Sequence, residues 1–303
     1  MAKCPVCGGS NTQSFAPFRH KHVIFSGCSR AVCADCEMVF ASPMPSEALL
    51  SNYNSSYFAT AHGGQPTSQS VIAFSSGIAR LRLAFLKRFL DKHKIGIDRV
   101  LELGPGPGFF ARSWLEDRPQ SIYSALETDK SCHHSLRNLG VQLVESSDVV
   151  PADLVVMSHV LEHVPDPVGF VQSATQGLQS GGALFIEVPC RDWEHKALDE
   201  PHVLFFDKKP MRKFLADLGF VDIEVSYYGQ QLGRLRSNSP LRAKLMAIRG
   251  RLIKWGLIAP FSRIQPGMES VPAPLERAMV APYQAHRESK EPAWWLRAVA
   301  RKL

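Results

Sequence analysis

The sequence predicts an α/β protein built on a doubly wound parallel sheet, with a small cysteine-rich module in front and a basic helical stretch near its end. Three observations carry this reading. Apolar, strand-like runs alternate with helical segments between residues 97 and 230. Five of the seven cysteines fall within the first 36 residues, and the last quarter is strongly basic. The 303 residues suffice for two units and can bury about three quarters of their unfolded surface without disulfides. Hydrophobic residues make up 45% and charged residues 21%, ordinary globular usage that excludes a disordered, collagen-like or coiled-coil chain. No apolar run reaches the roughly 18 residues of a membrane span. Met1-Ala2-Lys3-Cys4-Pro5 carries no apolar leader, so a soluble, cytoplasmic protein is expected.

The front comes first. Cys4-Pro5-Val6-Cys7 and Cys33-Ala34-Asp35-Cys36 are two C-x-x-C pairs separated by 25 residues. Each short turn can present two thiolates to one ion, and two such turns close a tetrahedral four-sulfur site. The reading is a structural Zn2+ on Cys4, Cys7, Cys33 and Cys36 in a zinc-ribbon module of residues 1–45. A redox motif fits less well, because thioredoxin-type pairs come singly at the head of a helix. Between the pairs, Cys28 reads as a buried thiol and His20 and His22 as surface imidazoles, while Cys132 and Cys190 read as packing residues. Residues 46–96 form a linker and helical cap. Pro43 and Pro45 give an extended exit from the ribbon, and Ser46 caps a short helix. After the polar stretch Ala59–Ser70, a helix over Val71–His93 places Ile78, Leu81, Phe85, Leu86 and Phe89 on one stripe, with Arg80, Arg82, Lys87 and Arg88 on the other.

The core spans residues 97–230. A strand, Val100–Leu103, runs into Gly104, Gly106 and Gly108 and then a helix with Pro107 in its first turn. This G-x-G-x-G spacing differs from the dinucleotide G-x-G-x-x-G. Glu102, two residues before the first glycine, suits a cationic or amino-acid-bearing ligand better than a phosphate. A second strand, Ser121–Leu126, ends in Glu127, about 20 residues after the glycines, where a ribose diol would be held. Strands follow at Val141–Val144, Ala152–Met157, Ala183–Val188 and Phe220–Tyr227, with helices over Val168–Leu178 and Asp207–Leu218. Gly181-Gly182 leads into the fifth strand, and Gly219 ends the last helix. Ligands are expected at the carboxyl ends of the strands.

Glu102-Leu-Gly-Pro-Gly-Pro-Gly108, the acidic Glu127 and His159-Val-Leu-Glu-His-Val-Pro-Asp-Pro167 together resemble a class I S-adenosylmethionine-dependent methyltransferase. The resemblance implies a Rossmann-like sheet whose last strand inserts antiparallel beside the sixth. It also implies an S-adenosyl-L-methionine site on Glu102, Gly104, Gly106, Gly108, Glu127, Glu145, Ser146, Ser147, Ser158 and His159. The front, CPVCG followed by C-x-x-C-x-x-V-F-x-x-P-x-P-S with Tyr53, Tyr57 and Phe58, resembles the zinc-binding module of bacterial sugar and polysaccharide-pathway methyltransferases. Glu37 stands where that module usually has glycine. Sugar C-methyltransferases of this kind carry a further α/β domain where only about 70 residues remain here, so oxygen is expected over carbon as acceptor. His159-x-x-Glu162-His163 also resembles the E-x-x-E-H of ubiquinone-pathway O-methyltransferases, which can hold a divalent ion, with His in place of the first Glu.

Methyl transfer is an in-line displacement helped by a base within reach of the acceptor. His202, in the loop after the fifth strand, is the first candidate for that base, because its ordinary pKa suits neutral pH. His163 is the second. Ala293–Arg301 reads as the final strand, in a segment 291–303 that returns to the core. Residues 231–290 then form a basic helical insertion whose main helix is Leu241–Ile258. From Gln231 onward there are fourteen basic and four acidic residues, net +10, which leaves −3 of the total +7 for the body. Such a helix suits a lid over an anionic or sugar-linked small-molecule substrate, or a peripheral membrane contact through 241–258. Packing with solvated charges is the plain alternative. Two other functions stay open: an RNA methyltransferase, and a zinc-ribbon adaptor without turnover. Residues 1–45 lack the dense Lys/Arg interleaved with aromatics that RNA recognition uses, so no nucleic-acid partner is expected. The sequence leaves the oligomeric state open.

Overall fold

A strand buried on both faces needs apolar residues at consecutive positions, and that pattern places the sheet. The computed structural model describes residues 2–54, 68–146, 150–236 and 273–303, together with 244, 247, 248, 251, 252, 255 and 257. Most of the 59–70 linker, Tyr57, Phe58, Ser147 and most of the helix expected at Leu241–Ile258 lie outside the described residues. Eight strands form the main sheet. In chain order they are β4 (Arg99–Leu103), β5 (Ile122–Leu126), β6 (Gln142–Leu143), β7 (Ala152–Ser158), β8 (Leu178–Pro189), β10 (Phe220–Gln231), β11 (Glu288–Ser289) and β12 (Ala293–Lys302). Their spatial order is β11-β10-β12-β8-β7-β4-β5-β6. Pairings from β8 to β6 are parallel, whereas β12 runs antiparallel between β8 and β10. The fold is mixed α/β, with a mostly parallel sheet flanked by helices.

Alternate side chains divide the core between the two faces. On β7, Leu154 and Val156 face α2 (Gln69–His93) and α3 (Phe109–Asp117), joining Phe85, Leu86, Phe89, Phe110 and Trp114. Val155 and Met157 face the other way, towards α5 (Pro167–Ala174) and α6 (Lys208–Asp217), with Val171, Met211 and Phe214. Helix α8 (Pro274–Val280) packs on α2 so closely that a Cβ on Gly77 would lie 2.8 Å from Val280 Cγ1 and 3.2 Å from the Glu276 carbonyl. Part of the stretch between β10 and β12 therefore covers the back of α2.

The front of the chain has its own antiparallel sheet: β1 (Thr12–Pro17), β2 (Ser29–Cys33) and β3 (Val39–Ser42), extended by β9 (Leu204–Phe205) from the far end of the core. Its buried residues Phe25, Phe40 and Leu50 belong to the same apolar cluster as Met157, Ile186 and Phe214. Leu50 comes from α1 (Glu47–Asn54), whose start accepts a 3.4 Å hydrogen bond from Leu49 N–H on Ser46 Oγ.

Three local expectations shift. Helix α3 begins at Phe109 rather than around Pro107, because Gly108 takes φ +84° and serves as the N-cap. Helix α5 stops at Ala174, and β8 already begins at Leu178, where it pairs with Ala152; Gly181-Gly182 thus lies inside a strand, with Gly181 at φ +79° beside a register shift. Arg82 does not join a solvent-facing stripe but turns inward onto the sheet.

Candidate active site

The loop after β4 is built by its glycines. Gly104, Gly106 and Gly108 have φ of +63°, +55° and +84°, the left-handed region that a side chain disfavours. A Cβ on Gly104 would also lie 2.7 Å from Val160 Cγ2. The cradle therefore exists only while these positions carry no side chain. Glu127, just past β5, closes its rim: Oε2 accepts from Gly106 N–H and Oε1 from Asp129 N–H, each at 2.8 Å, and burial pushes its pKa up. Beneath the loop, Glu102 is 2% exposed and accepts a 2.7 Å bond from Tyr123 Oη–H; burial pushes it up to about 7. Ser158 ends β7 with its Oγ buried and without a hydrogen-bond partner among the described residues, so it could serve a polar ligand. Glu145 and Ser146, after β6, are exposed on the same edge.

Next to Ser158, His159 takes φ +58° and stands between two buried carboxylates, with Nδ1 3.2 Å from Glu162 and Nε2 3.2 Å from Glu187. Burial opposes its charge, but the two carboxylates outweigh that and raise its pKa. Glu187 is fully buried and meets Arg82 at 2.5 Å and Arg297 at 2.6 Å. Its burial would raise its pKa, but these cations hold it well below the ordinary range.

A second centre lies beside the first. His202, 5% exposed, has Nδ1 2.6 Å from Asp192 Oδ2, and Lys196 reaches the same oxygen at 2.8 Å. Burial works against the Asp192 charge, yet His202 and Lys196 keep this carboxyl far below its usual range. An ionised carboxylate only accepts, so His202 Nδ1 carries the proton and Nε2 is left for chemistry. The His163 ring stands edge-on to His202, centroids 4.8 Å apart, and burial pushes its pKa down to about 4. Glu162, His163 and His202 each bring a ligand atom within 4.8 Å of the other two, so the chain brings His202 rather than His159 to this pair.

The four cysteines of the C-x-x-C pairs also converge. Cys4 and Cys36 sulfurs lie 3.6 Å apart, as do those of Cys7 and Cys33, and all four fall within 4.8 Å of one another. A tetrahedral ion with sulfur ligands at ~2.3 Å requires edges of about 3.8 Å, and a disulfide would need ~2.05 Å. The donor set thus fits zinc. Cys28 stays outside it, with its thiol on the Pro43 carbonyl at 3.2 Å.

The model of the methyltransferase domain matches residues 74–225, just over half of the chain. The chain belongs to the methyltransferase domain family. With its Rossmann-like class I sheet it is an S-adenosylmethionine-dependent methyltransferase. Among solved structures, a methyltransferase of Thermotoga maritima described as a possible histamine N-methyltransferase is 16% identical, with 76% of this chain and 100% of that one covered at a TM-score of 0.43. A methyltransferase of Archaeoglobus fulgidus is 14% identical over 74% and 94%, TM-score 0.45. The plantazolicin methyltransferase BpumL in complex with SAH is 10% identical over 84% and 96%, TM-score 0.49. Comparison with curated protein sequences finds no match.

Several residues of this methyltransferase site escape sequence reasoning. Tyr123 on Glu102, Arg82 and Arg297 on Glu187, and Asp192 on His202 are all set by tertiary contacts. Only Asp192 had a local signal, a carboxylate in the same connection as the candidate base.

Proposed function

We propose that the protein moves a methyl group from S-adenosylmethionine to an oxygen of a sugar-like small molecule, nucleotide- or lipid-linked, in glycan or natural-product biosynthesis. The cofactor supplies an electrophilic methyl group on a sulfonium. Gly104, Gly106 and Gly108 give its backbone-lined cradle, Glu127 holds the ribose hydroxyls, and Glu102 and Ser158 face the methionine end. Glu145 and Ser146 border the adenine, and His159 is fixed at the edge by its two carboxylates. The acceptor's hydroxyl meets His202 Nε2, and Asp192 fixes the tautomer that can take the proton. His163 crowds out water and keeps the imidazole edge-on. Cys4, Cys7, Cys33 and Cys36 hold a structural zinc.

The observation that carries this reading is the Asp192–His202 pair, linked through Glu162 to His159 at the end of the strand that carries Ser158, whose buried Oγ has no hydrogen-bond partner among the described residues. A hydroxyl acceptor needs such a base more than an amine does. Among the described residues no helix is long and apolar enough to cross a membrane. The test is calorimetric titration of the zinc-loaded protein with S-adenosylmethionine and S-adenosylhomocysteine, beside Glu127→Ala, followed by a screen of sugar nucleotides and RNA. Micromolar binding that Glu127→Ala abolishes, with methylation of a sugar nucleotide, is expected. Methylation of RNA instead would replace the sugar reading, and absence of cofactor binding would refute both.

A further inference from the structure

The segment that carries His202 is held from two sides. On one side, Val203 N–H donates to the Glu162 carbonyl at 2.8 Å. Apart from the bond between the His202 ring and Asp192, the other hydrogen bonds and ion pairs that tie residues 199–205 to the rest of the chain come, among the described residues, from the cysteine module. Asp199 is a carboxylate with no exposed surface; its Oδ2 accepts from Arg19 N–H at 2.6 Å, and its Oδ1 from Arg19 Nε and Nη2 at 3.1 and 2.5 Å. Arg30 approaches the same group at 3.6 Å. Asp199 N–H in turn donates to the Arg19 carbonyl at 2.8 Å, and His202 N–H donates to the Asp199 carbonyl at 3.1 Å. Glu200 accepts from Lys21 N–H and His22 N–H, each at 2.9 Å. Beyond His202, Ala41 N–H donates to the Val203 carbonyl at 2.9 Å, and β9 pairs with β3 through Phe40–Leu204 and Val39–Phe205.

We propose that Arg19 and Asp199 are positioning residues for His202, which makes the cysteine module a working wall of the methyl-transfer site. The proposal rests on the reading of His202 as the group that meets the acceptor. A carboxylate with no exposed surface is retained only when its partners are complete, and removal of one partner leaves an uncompensated buried charge. Among the described residues, the charged partners of Asp199 are Arg19 and Arg30, in the strip between the two cysteine pairs. The turn from 199 to 203, closed by its own His202 N–H bond to Asp199, is therefore anchored at its start by Arg19, and that anchor contributes to the height and angle at which the His202 ring meets Asp192. The bonds on Asp199 do not touch the glycine loop, Glu102 or Glu127. The two halves of the site are consequently separable: the module fixes the acceptor half, and the strands of the core fix the cofactor half.

The experiment uses the full-length, zinc-loaded chain and needs no acceptor. The His202 Nδ1–H bonded to Asp192 gives a downfield imidazole proton resonance, assigned by its loss in His202→Gln. Arg19→Met is compared with Arg19→Lys and with Lys209→Met. The last removes an exposed contact to Glu37 on the same module and does not involve the partners of Asp199. The expected result is loss of the resonance in Arg19→Met with amide exchange at His202 and Val203 faster by about tenfold or more, partial retention in Arg19→Lys, and no change in Lys209→Met. S-adenosylhomocysteine affinity and zinc content should stay within about twofold throughout. An unchanged resonance in Arg19→Met overturns the proposal. So does loss of the resonance together with cofactor binding, because Arg19 would then support the whole fold. If the parent chain fails to bind S-adenosylhomocysteine at all, the functional reading fails, while the dependence of the His202 resonance on Arg19 is still read independently.

Discussion

Replacing Glu102 by glutamine should change how stability depends on pH. Glu102 is 2% exposed, and burial lifts its pKa from the ordinary 4.5 to about 7. A carboxyl whose folded value lies above its unfolded value binds more protons folded than unfolded between the two. Stability from this group therefore falls as pH rises through the window from about 4.5 to about 7. At 1.36 kcal/mol per unit, the full cost above the window is about 3.4 kcal/mol, of which about 2.5 kcal/mol accrues between pH ~5 and pH ~8. Glutamine has nearly the same volume and can still accept from Tyr123 Oη–H. Its extra N–H group adds an offset of about 1–3 kcal/mol that does not vary with pH. The readout is thus the change in the difference between variant and parent, from urea unfolding near pH 5 and near pH 8. The variant should gain about 2.5 kcal/mol relative to the parent over that interval. A difference that is flat with pH would show that Glu102 is already ionised in the fold and would refute the reasoning. The same ionisation links to the proposed function: if S-adenosylmethionine binds above Glu102 as proposed, its positive charge favours the carboxylate, so binding near neutral pH should release a proton in the parent and none in Glu102→Gln.

Three other outcomes are expected. Gly104→Ala puts a Cβ at φ +63° and 2.7 Å from Val160 Cγ2; S-adenosylhomocysteine affinity measured by calorimetry should fall at least about tenfold, with ~1–3 kcal/mol lost from stability. Cys33→Ser removes a fully buried ligand of the four-sulfur cluster, so zinc content by elemental analysis should drop from one equivalent towards none and the chain should open at lower denaturant; retention of stoichiometric zinc would contradict the four-ligand site. Gly77→Ala would stabilise an isolated helix by about 1 kcal/mol. Here the new Cβ meets Val280 Cγ1 at 2.8 Å and the Glu276 carbonyl at 3.2 Å, so the melting temperature should fall, by an amount equivalent to about 1–3 kcal/mol.

Much of the core was legible because its signals are local. The order β4, glycine loop, α3 follows from Val100–Leu103 and the glycines alone, and the final strand, read at Ala293–Arg301 from its alternation, runs over Ala293–Lys302. The four cysteines come together because two C-x-x-C turns have few other uses. The boundaries that moved did so for tertiary reasons: pairing of Leu178 with Ala152 takes the end of an expected helix into β8. Arg82 reads as a solvent-stripe residue until Glu187, 105 positions away, draws it inward. Asp192 offers only its place in the same connection as His202, and nothing in a linear pattern pairs Asp199 with Arg19 across 180 positions.

That division has a physical basis. The cofactor half of the site is made where strands end, so Glu102, the glycines, Glu127 and Ser158 are placed by the sheet itself and need only short connections. The proposed acceptor half draws on residues near 162, 192 and 202 and on residue 19 of the front module, which meets the core through β3 and β9. Groups positioned in this way can change without disturbing the sheet, since neither the glycine cradle nor its carboxylates lean on them. Under the proposed reading, a chain organised so would keep one methyl donor while its acceptor wall is set by the cysteine-bearing layer, and the Arg19–Asp199 pair, which ties the two layers together, is where that reading is tested.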